Sequence, residues 1–143
     1  MANFVVITDT GMERLMDGGV SYLSSLVCHL YQNNYTPLFT SIPSNFTECT
    51  FHGYAAQATS SWSTPTTNAS PPNADTTNSP LTFTATDGAV PNTVYGAYFL
   101  DPSDGSLIMA QRTNLTVPAV LDAAGKSYVL TPRLTGATYS AYP

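Results

Sequence analysis

Apolar residues are most densely grouped at positions 94–110, where two runs flank a short polar segment. Side chains alternate between the two faces of a strand, so each face of the first run can be assigned. The assignment puts Val94, Tyr98 and Leu100 on one face, and Tyr95, Ala97 and Phe99 on the other. Because neither face is polar, the run predicts an interior strand that is covered on both sides.

A turn and a second strand complete this hairpin. Residues 101–105, Asp-Pro-Ser-Asp-Gly, have turn chemistry, since Pro102 sets φ and Gly105 can adopt a left-handed conformation. Residues 107–110 return as the partner strand, with polar Gln111 and Arg112 at its open end. We predict that this hairpin is the structural core, and its central residues are Val94, Tyr95, Tyr98, Phe99, Leu107 and Ile108.

Hydrophobic spacing of three and four residues predicts one short helix near the N-terminus. Thr8 or Asp9 can cap it, and glycines 18 and 19 end it. The spacing places its apolar face on Met12, Leu15 and Met16. The apolar run before the helix is a first strand or an extended arm, and it consists of Phe4, Val5, Val6 and Ile7.

Further short apolar runs are separated by turn residues along the whole chain. This pattern predicts an all-β protein, an antiparallel β-sandwich or jelly roll with one short N-terminal helix. Residues 63–80 are rich in Pro, Thr and Asn and hold no large apolar residue, which predicts a long exposed loop or arm. A linker between two domains is the rival interpretation. Neither half offers a plausible core alone, so we expect residues 1–143 to form one domain with a possible N-terminal arm at residues 1–8.

Charge narrows the possible partners. Only 9% of the 143 residues are charged, and the net charge is −5 with four basic residues. This composition argues against nucleic-acid binding and against an anionic membrane surface. The start of the chain lacks a basic segment followed by a long apolar run, so we expect no signal peptide and synthesis in the cytoplasm.

The few chemically reactive residues do not form a recognisable site. Cys28 and Cys49 are expected to be free thiols, as is usual in a reducing cytosol. His29 and His52 could join them around zinc, but Cys28 and His29 are neighbours and would face opposite sides of a strand. We therefore predict no metal and no cofactor.

Catalytic motifs are also missing from the sequence, and we expect no enzymatic activity. There is no nucleophile elbow and no glycine-rich phosphate loop. A hydrolase whose site follows no recognised motif stays possible at this stage. An aromatic set could stack on sugars, although packing is the commoner use of such residues, and it comprises Tyr54, Trp62, Tyr139 and Tyr142.

The order of residues resembles one group of known proteins. Residues 29–34, His-Leu-Tyr-Gln-Asn-Asn, followed by Thr36 and Pro37, are similar to the LxLFKNNxTP segment of small proteins encoded in bacteriophage structural gene clusters. The similarity continues in short pieces to about Leu134, at positions 46–48, 51–54, 62–65, 81–84, 93–98, 110–112 and 130–132. The insert at 63–80 and Cys28 depart from that pattern.

The resemblance implies a β-rich component of a phage virion. The expected role is a capsid decoration (cement) protein that binds and stabilises neighbouring major capsid subunits, with localisation in the virion and self-association as a dimer or trimer. The segment Phe4 to Ile7 is the candidate capsid-contact arm. The alternative hypothesis is a carbohydrate-binding β-sandwich on a phage fibre or capsid surface.

Overall fold

The structure is a computed structural model that describes residues 4–69, 72–113 and 118–137. Within these ranges it has one α-helix, α1 (Asp9–Gly18), and 3₁₀ helices at Val20–Ser25 and Pro43–Asn45. The strands are β1 (Phe4–Ile7), β2 (Val27–Tyr31), β3 (Gln57–Ala58), β4 (Thr66–Ala69), β5 (Pro72–Thr77), β6 (Leu81–Thr84), β7 (Asn92–Val94), β8 (Gly96–Leu100), β9 (Leu107–Arg112), β10 (Ala119–Leu121), β11 (Ser127–Leu130) and β12 (Arg133–Ala137).

The largest sheet is built around the predicted hairpin. Its five antiparallel strands have the order β1-β9-β8-β2-β3, so β8 is the central strand. Phe99 is opposite Met109 on one side and Cys28 on the other. All residues of β8 except Leu100 are buried, and β9 is buried along its whole length. The apolar run therefore does form an interior strand covered on both faces.

The two faces of this sheet pack into two different clusters. Val94, Ala97 and Phe99 belong to the main hydrophobic cluster, whereas Tyr98, with the half-buried Tyr95, belongs to a second, aromatic cluster. The predicted assignment of Val94 and Tyr95 is therefore wrong. Regular pairing stops at Tyr95, which separates β7 from β8, and the alternation of faces changes there.

Polar residues at the end of β9 are also buried, contrary to the open end that the sequence predicts. Gln111 is 5% exposed and Arg112 is 3% exposed. The side chain of Gln111 is satisfied by the backbone beyond β11, because it donates to the carbonyl of Thr131 and accepts from the amide of Arg133. These two hydrogen bonds lower the cost of burying the Gln111 amide group.

Helix α1 begins and ends where the sequence predicts. The Thr8 hydroxyl accepts a hydrogen bond from the amide of Gly11, and Gly19 ends the helix with φ of 66°. Its packing face agrees with the prediction only at Leu15, which is half-buried against the main hydrophobic cluster. Gly11 is the buried residue of the helix, and a Cβ at this position would lie 2.0 Å from the carbonyl oxygen of Ile108. The backbone of α1 therefore rests directly on β9, and Met12 and Met16 are turned outward.

Residues 63–80 also depart from the sequence prediction. Strands β4 and β5 pair as a hairpin, and β12 pairs with the other edge of β5. Outside positions 70 and 71, the backbone of this segment is therefore held largely by strand pairing, for which threonine is well suited and which needs no large apolar residue. The prediction of a long loop is wrong.

The class of fold is confirmed as mostly β with one α-helix and antiparallel pairing. Besides the two larger sheets, β7 pairs with β10 and β6 pairs with β11. The finer prediction of a sandwich or jelly roll stays a prediction.

Both cysteines are free and buried in the main cluster, with Cys28 0% exposed and Cys49 2% exposed. Burial raises the pKa of both thiols, that of Cys49 to about 12, so neither forms the reactive thiolate near neutral pH. We expect a water-soluble disulfide reagent at pH 8 to label neither cysteine in the native protein and both in denaturant. Rapid labelling of the native protein, or no free thiol in the denatured protein, would contradict this expectation.

Candidate interaction surface

Exposed large hydrophobic side chains are concentrated on two segments of the molecule. Among the described residues seven such side chains are exposed, and five of them lie on α1 or on the loop at residues 37–45. These five are Met12 (48% exposed), Met16 (81%), Leu38 (54%), Phe39 (62%) and Ile42 (56%). Single exposed apolar residues are common on proteins, but a concentration of this kind marks an interaction surface.

The loop that carries three of these residues is held in shape by its own hydrogen bonds. The Ser41 hydroxyl accepts from the amide of Leu38 at 2.8 Å and is 2.7 Å from the Tyr35 hydroxyl. One turn later, the amide of Ile42 donates to the side chain of Asn45 at 2.8 Å. The exposed side chains therefore project from an ordered backbone, so binding would order little additional chain.

An aromatic cluster fixes this loop to the central sheet. Phe46, which follows the loop, stacks on Tyr98 with ring centroids 4.8 Å apart and meets Tyr31 and Tyr35 edge-on. Buried Arg112 also donates to the carbonyl of Tyr35 and, at 2.7 Å, to the side chain of Asn34. The hairpin predicted as the core thus holds this loop in place through Tyr98 and Arg112.

Loop and helix meet at the start of α1. The amide of Asp9 donates to the carbonyl of Phe39 at 3.2 Å. A groove of about 370 Å³ lies between the two segments, and it is lined by Thr8, Asp9, Thr10, Phe39, Thr40, Ser41, Ile42, Pro43, Ser106 and Leu107. We call the combination of this groove, the loop and the outward side of α1 the helix–loop surface.

An ionic cluster holds the other side of α1 against the β8–β9 turn. Arg14 donates to Asp101 at 2.6 Å and also to Asp104, while the Tyr22 hydroxyl donates to Asp101. Hydrogen bonds from Ser103, Tyr22 and Arg14 hold the pKa of Asp101 well below its ordinary value. The carboxyl is buried and stays ionised, and the helix is thereby fixed in orientation as well as position.

The distribution of charge distinguishes this surface from the rest of the molecule. Among the acidic side chains that the structure describes, Glu48 and Asp87 are paired with histidines, Asp101 and Asp104 with Arg14, and Asp122 with Lys126. The acidic side chains without an ion-pair or hydrogen-bond partner in that described set are Asp9, Glu13 and Asp17. All three lie on α1, at intervals of four residues, so they form one row along the helix.

The predicted contact arm has a different place in the structure. Phe4 to Ile7 form β1, an edge strand that pairs with β9 through one side, from Phe4 opposite Arg112 to Ile7 opposite Met109. Val5, Val6 and Ile7 are half-buried. Of the two alternatives that the sequence leaves open, the first strand is correct for these residues. Its last residue leads directly into the groove of the helix–loop surface.

Of the aromatics proposed to stack on sugars, Tyr54 and Trp62 are used for packing inside the protein. Tyr54 and Trp62 pack against the main hydrophobic cluster, the Tyr54 hydroxyl accepts from the amide of Leu30, and the Trp62 indole donates to the carbonyl of Leu23. Tyr139 and Tyr142 lie outside the described residues. Nothing in the geometry of Tyr54 and Trp62 thus favours the carbohydrate hypothesis.

Two features are absent from the residues that the structure describes. No group of three or more His, Cys, Asp or Glu side chains is placed there to hold a metal ion. None of the helices there has the length and apolar character needed to span a bilayer.

The helix–loop surface itself is missing from the sequence predictions. One signal could have indicated its loop: Leu38, Phe39 and Ile42 lie between two prolines, Pro37 and Pro43, in a segment with no helical or strand period. Such a segment offers no regular element that could bury its apolar side chains.

The protein is thus mostly β, and in the part of the chain that the structure describes its exposed large apolar side chains and its unpaired acidic side chains are concentrated on the helix–loop surface. Comparison of the chain with protein-family models, curated proteins and solved structures gave no significant match.

Proposed function

We propose that this chain is a phage virion structural protein, a capsid decoration protein that binds and stabilises neighbouring major capsid subunits. The identity of the partner rests on the resemblance of residues 29–37 and the shorter pieces that follow to small phage proteins. The mode of action rests on the helix–loop surface, which is the single observation that carries the proposal. A protein that acts by covering another surface needs exposed apolar anchors on a rigid support, and the loop at residues 37–45 supplies them.

The arrangement of the anchors suits a permanent contact. Phe39 and Ile42 border the groove at the start of α1, and Leu38 is beside them in the chain. Large apolar and aromatic side chains around a concave centre are typical of the residues that dominate binding energy. Because apolar burial is not weakened by simple salts, a contact of this kind persists at high ionic strength.

Two measurements test the proposal. Mass spectrometry and immunogold labelling of purified virions should find the chain on the capsid. Capsids assembled without it should bind the variant Leu38→Ser/Phe39→Ser/Ile42→Ser at least about tenfold more weakly than the wild type, since hot-spot residues each contribute more than about 1 kcal/mol. The control is Val120→Ser/Val129→Ser, which removes the other two exposed large hydrophobics and should bind normally. Absence of the chain from virions, or normal binding by the triple variant, would refute the proposal.

Deletion of the N-terminal segment is a poor test of the same idea. Removal of residues 1–7 takes away all of β1 and exposes the edge of β9, which is buried along its length. Loss of attachment by such a truncated protein would follow from damage to the central sheet, so point variants on the surface are required.

A further inference from the structure

We infer that the helix–loop surface binds a protein partner that presents basic residues beside apolar ones, and that the acidic row of α1 selects this partner by its charge. The inference rests on the proposed function for the place of binding, and it adds the chemistry of the partner. Three features carry it: the exposed apolar side chains, the unpaired carboxylates next to them, and the lack of available cations elsewhere on the chain.

The acidic row and the apolar side chains share the outward side of one helix. Gly11 faces β9, Arg14 faces the β8–β9 turn and Leu15 packs against the main hydrophobic cluster, whereas the other residues of α1 are exposed. Met12 and Met16 lie on the same turns of α1 as Asp9, Glu13 and Asp17. Asp9 to Asp17 spans about 12 Å along the helix, at 1.5 Å per residue. A partner that covers the methionines must therefore meet the carboxylates as well.

Covering unpaired carboxylates with an apolar or acidic partner would be unfavourable, because a desolvated charge needs a compensating partner. A basic partner offers that compensation. Lysine and arginine are well suited to this surface, since their aliphatic stems can lie on Met12 and Met16 while their charged ends reach the acidic row. The methionines add adaptability, as flexible thioether side chains fit differently shaped surfaces.

A second copy of this chain is an unsuitable occupant for the acidic row. Its basic residues number four. Arg14 and Lys126 are already in ion pairs, Arg112 is buried, and Arg133 makes interactions within its own chain. A second copy therefore has no spare cation to place against Asp9, Glu13 and Asp17, and it would bring the same excess of negative charge.

The two components of the surface should act on different rate constants. Complementary charge mainly accelerates association, because it steers the partners during diffusion, and salt screens this effect. Apolar contacts mainly set the rate of dissociation. The acidic row should therefore control how fast the protein finds its partner, and the loop should control how long it stays.

The test compares variants of equal net charge. Asp9→Asn/Glu13→Gln/Asp17→Asn removes the row without changing side-chain size. The control, Thr82→Lys/Ala124→Lys/Thr131→Lys, changes the net charge by the same amount at exposed positions far from α1 along the chain. Association with immobilised capsids that lack the protein is measured by biolayer interferometry from about 0.01 M to 0.1 M sodium chloride, where the screening length falls from about 30 Å to about 10 Å. A second arm adds a synthetic peptide of alternating leucine and lysine to ¹⁵N-labelled protein and records amide shifts.

At low salt we expect the row variant to associate with capsids about tenfold more slowly than the wild type and with little salt dependence. The control should associate at no less than half the wild-type rate, and dissociation rates should be equal. The peptide should shift amides of α1 and of residues 38–42 in wild type and control, and should fail to shift them in the row variant. If capsids bind wild type and row variant equally fast, or the peptide shifts other amides, the inference is wrong while the proposed function stands. If no version binds capsids but the peptide arm behaves as stated, the proposed function fails and the surface chemistry stands.

Discussion

Replacement of Phe99 with alanine should lower the free energy of unfolding by about 3–5 kcal/mol, the usual cost of truncating a fully buried phenylalanine. Phe99 is 0% exposed in the central strand β8, between Cys28 and Met109 on the neighbouring strands. The loss combines transfer of the ring to water with the cavity that a rigid sheet cannot close. Urea denaturation followed by circular dichroism measures it.

Phe39 supplies the matched control, because it is the same residue type at 62% exposure. Phe39→Ala should change the free energy of unfolding by less than about 0.5 kcal/mol, as expected for surface positions. The two variants thus distinguish a phenylalanine that stabilises the fold, Phe99, from one that we propose for binding, Phe39. A loss below about 1 kcal/mol for Phe99→Ala would show that Phe99 is not buried and that β8 is not the central strand of the sheet.

Replacement of Asp101 with alanine should have the next largest effect, a loss of about 2–4 kcal/mol at pH 7. Asp101 is 6% exposed and accepts hydrogen bonds from Arg14, Tyr22 and Ser103. Its removal takes an acceptor from all three donors and weakens the link between α1 and the β8–β9 turn, where Arg14 keeps its ion pair with Asp104. The exposed pair Asp122 and Lys126 is the control, because solvent screens an exposed ion pair and Asp122→Asn should lower the free energy of unfolding much less than Asp101→Ala.

The carboxyl group of Asp101 also makes the free energy of unfolding depend on pH. Its pKa is lower in the folded protein than the ordinary value of 3.8, because the charged form is favoured by its hydrogen bonds. The stabilisation is therefore fully present above pH 5 and is lost as the pH falls below about 4. Asp104, Asp87 and Asp122 have lowered pKa values too, so acid should destabilise all variants somewhat. We expect a smaller loss between pH 7 and pH 3 for Asp101→Ala than for the wild type. Parallel pH profiles would mean that Asp101 contributes no acid-sensitive energy.

The sequence pattern predicted the positions of helices and strands better than it predicted which of their faces are buried. The β8–β9 hairpin could be predicted because a fully apolar run followed by Asp-Pro-Ser-Asp-Gly has few other structures open to it. The assignment of Val94 to a face of the sheet was wrong because Tyr95 interrupts the strand and changes which face the following side chains point to. A local pattern of apolar residues does not indicate such an interruption. Likewise, the ends of α1 follow from Thr8 and Gly19, which act locally.

The face of α1 depends on a distant contact that no helical period shows. Hydrophobic spacing favoured Met12, Leu15 and Met16 as the packing side, but of these only Leu15 packs against the core. The closest contact is made by Gly11, which has no side chain. The loop at residues 37–45 was hidden for a related reason. Its shape depends on Ser41 and Asn45 hydrogen bonds and on Phe46 packing against residues of β2 and β8, which are distant in sequence.

Gly11 also bears on how such a surface can change over generations. The Cβ of any other residue at this position would meet the backbone of Ile108, which cannot move without disturbing β9. Met12, Met16 and the three carboxylates have no comparable constraint, because they contact solvent. Mutation can therefore alter the charge and shape of the exposed side of the helix while its packing against β9 stays the same. The exposed residues of α1 can therefore be substituted as a partner changes, whereas Gly11 cannot.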